Sequence, residues 1–195
     1  MRGVPDGEPA VQSSYMKNLV SLLEKRGVAA ELRQVDAELF DAIEAASRMS
    51  WLPAAMNVRM VEVMAERFGE ARGLELLTDC LYAQFETPLW KNFVGGAVRL
   101  LGTNPGSLGR WIPQAYRLVF RCCGKWSTRS PDATTLEVVA SEMPLVLASH
   151  ELWLRSVAAG IGSVFRLCEM DGRSRLREVD TVGGRATFEL TWKSS

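Results

Sequence analysis

Histidine is nearly absent from this 195-residue sequence, which carries His150 as its sole imidazole. That excludes His-rich metal centres and two-histidine catalysis, since such sites need several imidazoles converging on one ion or substrate. An excess of either charge is also lacking. The 23 Lys and Arg residues match 23 Asp and Glu, whereas a surface that reads phosphates or anionic lipids ordinarily shows a basic excess. No apolar run approaches the ~20 residues of a membrane-spanning helix. The opening residues Met1-Arg2-Gly3-Val4-Pro5-Asp6-Gly7-Glu8 have no apolar core of a secretion signal. A cytoplasmic protein without a nucleic-acid partner is expected.

Cysteine is scarce, and Cys80, Cys122, Cys123 and Cys168 lie largely in apolar stretches, as buried thiols of a reducing compartment do. The vicinal pair Cys122-Cys123 is a poor candidate for a relaxed disulfide. A redox or catalytic role for it would need a lowered thiol pKa, for which Arg121 and Lys125 offer a positive field. A phosphate loop, a dinucleotide fingerprint and a nucleophile elbow are all missing. A non-enzymatic role is therefore expected, with a thiol-dependent enzyme resting on Cys122, Cys123 or His150 as the remote alternative.

What is present is a clear switch of period. Ala186, Phe188, Leu190 and Trp192 alternate with Arg185, Thr187, Glu189 and Thr191, the pattern of a strand with one wet face. Residues 175 to 182 supply a partner, and Gly183-Gly184 suits a two-residue hairpin turn because glycine accepts positive φ. Upstream, Trp153, Val157, Gly160, Ile161, Val164, Phe165 and Cys168 recur at helical spacing, and that stripe should cover the sheet.

The first half is helical by the same criterion. Residues 1 to 12 are expected to form a flexible tail, and residues 13 to 195 one domain. Ser13 or Ser14 opens a helix stopped by Gly27, Asp36 caps a second, and Asn57 caps a third closed by Gly69. A fourth runs from about Glu70 to Phe85. Thr87-Pro88 starts a fifth through Leu89, Phe93, Ala97 and Leu100, with Gly95-Gly96 inside it either for close packing or for ligand space. Residues 115 to 121 fit helix and strand alike, with helix favoured to about Phe120. A polar loop is expected from Gly124 to Pro131, then a strand from Thr134 to Met143. The fold class is α+β: an N-terminal helical bundle packed with a small antiparallel sheet made of the C-terminal hairpin and one earlier strand.

The sequence Ser50-Trp51-Leu52-Pro53, the turn Gly102-Thr103-Asn104-Pro105 and the terminal strand resemble an uncharacterised myxobacterial paralogous family. That family is itself similar to the haem/nitric-oxide-binding and 4-vinyl-reductase-type ligand-binding superfamily. The resemblance spans roughly residues 13 to 193. It implies a helical subdomain over a small antiparallel sheet, often dimeric, used to sense small ligands or to build signalling assemblies. Haem is not carried over, because His150 stands at the start of a late helix and no propionate clamp is recognisable. The cofactor stays unknown.

The function expected is a non-enzymatic ligand-sensing or regulatory domain, with a structural homodimerisation module as the alternative. For a small hydrophobic or aromatic ligand the candidate binding residues are Trp90, Phe93, Gly95, Gly96, Trp111, Tyr116, His150 and Trp153. The homodimer is expected to use the helical face of Leu89, Trp90 and Phe93.

Overall fold

Helix-phased apolar stripes broken by short polar turns set the order of elements in the computed structural model, which describes residues 4–85, 87, 91–92, 95–96, 99 and 103–193. The helical half comprises α1 (Ser13–Lys25), α2 (Ala29–Val35), α3 (Ala37–Ala45), α4 (Ala54–Phe68) and α5 (Glu70–Gln84). Asp36 caps α3 as expected, its side chain accepting the Leu39 N–H at 3.0 Å. The short α2 buries only Ala29 and Leu32, too brief a stripe to show a period in the sequence. Asn57 does not cap: α4 starts at Ala54 after Pro53, and Asn57 is a buried residue inside it. At Gly73 the helices α4 and α5 approach so closely that a Cβ would lie 3.0 Å from the Met64 carbonyl. The helix expected through Leu89, Phe93, Ala97 and Leu100, and with it the proposed dimer face, falls on residues mostly outside those described.

The N-terminal tail ends earlier than expected. Ala10–Gln12 forms β1, the middle strand of a small antiparallel sheet ordered β2-β1-β3, where β2 is Trp51–Pro53 and β3 is Phe120–Arg121. Ala10 and Val11 are completely buried. A strand of three residues shows no alternation to read. After it, α6 (Pro105–Gly109) and α7 (Ile112–Val119) lead directly into β3. Helix and strand signals competed over residues 115 to 121 because both elements occur there in succession.

The larger sheet has the order β4-β5-β7-β6, all neighbours antiparallel, from β4 (Lys125–Asp132), β5 (Thr135–Ser141), β6 (Gly172–Asp180) and β7 (Arg185–Trp192). The strand β4 replaces the polar loop expected there. It is an edge strand that fully buries only Trp126, so its composition is that of exposed chain. The β6–β7 turn spans Thr181 to Gly184 rather than two residues, and Gly184 alone has positive φ, +61°. A side chain there would also strike the Met143 carbonyl at 2.6 Å.

Two further helices, α8 (Leu145–Ala148) and α9 (Glu151–Cys168), lie between β5 and β6. The expected α9 stripe is buried from Trp153 to Cys168 apart from half-exposed Gly160, and α9 packs on β6 and β7. Ala186, Phe188 and Leu190 are each at most 1% exposed. The result is α+β, a helical layer with antiparallel sheet. Among the described residues no helix is long and apolar enough to cross a membrane. All four cysteines are free thiols. Cys122 corrects the expectation of burial: it is exposed, in the turn between β3 and β4, with φ +55°.

Candidate functional site

Three helices turn apolar stripes toward a common space. Ile112, Ala115, Tyr116 and Val119 from α7, Gly160, Ile161, Val164 and Leu167 from α9, and Leu81 and Gln84 from α5 line a cavity of about 160 Å³, together with Tyr15 of α1 and Phe85. Each set keeps the three- and four-residue spacing of one helical face. Gly160 contributes room: a Cβ on it would lie 2.8 Å from Leu81 Cδ1.

One wall is a stack of rings. Tyr116 lies against Trp126 with centroids 4.0 Å apart and against Phe120 at 5.5 Å, and Trp126 continues to Phe188 at 5.7 Å. These offset, near-parallel pairs add to the area they bury. They also tie the cavity wall to the middle of the larger sheet. Burial pushes the Tyr116 and Tyr15 phenols well above their ordinary value, with Tyr15 adding to the effect on Tyr116. Both therefore stay neutral hydroxyls at any physiological pH.

The polar feature of the wall is Gln84. The residue is 2% exposed, and neither Oε1 nor Nε2 has a hydrogen-bond partner among the described residues. An unpaired buried amide costs about 1–3 kcal/mol per group, so the site holds a standing demand for a donor and an acceptor. Ser163, by contrast, is satisfied, donating to the Gly160 carbonyl at 2.6 Å. No Lys, Arg, His, Asp or Glu is among the described lining residues.

Of the residues singled out from sequence, Trp111 and Tyr116 are brought together at this cavity. Trp153 lies behind it, fully buried and hydrogen-bonded to Asn57. His150 is at the N-terminus of α9, with Nδ1 3.3 Å from Glu62 Oε1 and its side chain 40% exposed. Gly95 and Gly96 are half-buried, and among the described residues a Cβ on either meets no atom within 4 Å. Trp90 and Phe93 lie outside the described residues. Gln84 escaped notice although its signal was present: it continues the buried series Gly73, Leu77 and Cys80, a polar residue in phase with an apolar stripe. Among the described residues no cluster of His, Cys, Asp and Glu is placed to hold a metal.

No protein-family model matches the chain, and no curated protein sequence is significantly similar to it. Solved structures do share its architecture. An H-NOX protein mutant from K. algicida, in the Fe(II) unliganded state, superposes with a TM-score of 0.64 at 8% identity, covering 94% of this chain and 97% of that one. A mutant of Tt H-NOX gives 0.63 at 8% identity over 94% and 95%. An H-NOX structure concerned with heme distortion gives 0.61 at 9% identity over the same shares. The fold is that of the H-NOX domains, the haem/nitric-oxide-binding part of the resemblance noted above.

A haem, which this fold brings to mind, does not fit the residues present. The sole His150 is engaged by Glu62 and is not part of the cavity wall. No cation among the described lining residues faces the space to pair with propionates, and about 160 Å³ is close to the ~150 Å³ of an engineered cavity that takes benzene.

Proposed function

We propose that this chain is a non-enzymatic small-ligand-sensing or regulatory domain that uses the H-NOX architecture without haem, its ligand entering the cavity between α5, α7 and α9. The observation that carries the reading is the Gln84 carboxamide, buried with both polar atoms unpaired among the described residues on a mostly apolar wall. A folding core gains nothing from such a group. A binding site gains orientation from it, because pockets are mostly apolar with a few placed polar atoms. Since α9 forms both a cavity wall and the cover of the β6–β7 hairpin, a ligand that shifts α9 would be felt at the sheet. A cytoplasmic signalling role and kinship with the myxobacterial paralogous family accompany this reading, on the sequence features that first suggested them.

Native mass spectrometry of protein purified from its own cells tests it. The expected result is a retained small organic molecule, with no porphyrin absorption and no stoichiometric haem uptake when hemin is added. Protein that carries haem from its own cells overturns the proposal.

A further inference from the structure

The cavity's chemistry narrows the ligand, on the premise that the ligand-binding reading above holds. We infer that it takes an uncharged, single-ring aromatic compound bearing a hydrogen-bond donor and acceptor side by side, as an amide does, held by the Gln84 side chain. Size sets the first limit: about 160 Å³ suits one substituted ring, by the measure of a benzene-filled cavity on the order of 150 Å³. The wall sets the second. Phe85, Trp111, Tyr116 and Phe120 present rings, against which an aromatic plane packs better than a flexible chain does.

Gln84 sets the third limit. A carboxamide offers one acceptor and an NH₂ donor in a single plane, and here both are unpaired at 2% exposure. Its complement is a planar group with a donor and an acceptor at the same spacing. Charge sets the fourth. The described lining residues include no ionisable cation or carboxylate, and the phenols of Tyr15 and Tyr116 are held neutral by burial. An anionic ligand would therefore be desolvated with no opposite charge to offset it. Water alone would satisfy the amide yet leave the apolar wall uncovered.

Benzamide, benzoate and cumene have nearly the same shape and differ in the polarity and charge of one substituent. Calorimetric titration of each into the full chain and into Gln84→Met tests the inference. Benzamide is expected to bind the wild-type chain about tenfold more tightly than either of the others, as a site built for paired hydrogen bonds discriminates. In Gln84→Met the preference over cumene disappears. Equal binding of cumene and benzamide to wild type overturns the polar recognition while leaving the cavity a ligand site. Benzoate binding as well as benzamide overturns the requirement for neutrality. Failure of all three on wild type overturns the assignment of a one-ring ligand, and the mass-spectrometric test decides separately whether the chain holds any ligand. The wild-type comparison stands alone should the variant misfold.

Discussion

The indole N–H of Trp153 donates to Asn57 Oδ1 at 2.8 Å, and Asn57 Nδ2 in turn donates to Met16 Sδ at 3.4 Å. One buried polar chain thus links α9, α4 and α1 in a region where all three residues are at most 5% exposed. Both ends of the tryptophan are thereby accounted for: its rings fill the core, and its lone donor is satisfied.

Replacing Asn57 by Leu removes the acceptor and strands the indole N–H in the core. The expected cost is about 2–3 kcal/mol, read as a lower urea midpoint with an unchanged slope. An unaltered midpoint would show that the link contributes nothing to stability.

The Gln84→Met variant is expected to behave in the opposite way. Without ligand it relieves an unpaired buried amide at nearly constant volume, and should gain about 1 kcal/mol. Loss of stability on thermal unfolding would mean that the amide is satisfied in solution.

Asp36 couples stability to acid. Its carboxylate accepts from Arg59 Nε at 2.8 Å and from the Leu39 N–H at 3.0 Å, and these bonds, the Arg59 one foremost, hold its pKa below the ordinary carboxylate value. The unfolded chain therefore takes up this proton more readily than the folded one. The stabilisation is complete above about pH 4, the unfolded value, and is lost as pH falls through the lower folded value. Asp36→Asn keeps a capping oxygen but not the charge. It should cost about 1 kcal/mol at pH 7, with the gap to wild type closing as pH falls below about 4 in chemical denaturation.

The thiols should separate by accessibility. Burial pushes Cys80, Cys123 and Cys168 up to about 11, whereas Cys122 is exposed. Brief iodoacetamide treatment of the native chain near pH 8 is expected to modify Cys122 first, with the others reacting after unfolding. Rapid labelling of Cys123 in peptide mass spectra would contradict this and reopen a catalytic reading of the pair.

Long, strongly periodic elements could be read from sequence, because burial of one face leaves a regular mark. The alternation ending in Phe188 and Leu190, the α9 stripe and the Asp36 cap are of this kind. Trp51-Leu52-Pro53 and Ala10–Gln12 are too short to have a period, and their pairing partners lie far along the chain. The edge strand β4 resembles a loop because only Trp126 is fully buried. At the cavity, Trp111 and Tyr116 drew attention as aromatic residues. Gln84 did not, because its meaning depends on which neighbours fail to reach it, and that is settled only when α5, α7 and α9 meet.

The first strand being the central one of its sheet has a consequence for synthesis. As the chain leaves the ribosome, residues 10–12 emerge well before their second flank, Phe120–Arg121, which is translated more than a hundred residues later. Through that interval Val11 has one side unclosed, and contacts so distant in sequence form slowly because a long loop must be ordered first. The same stretch that completes the small sheet also delivers α7, so that sheet closes together with one wall of the cavity, while the wall formed by α9 follows later in synthesis.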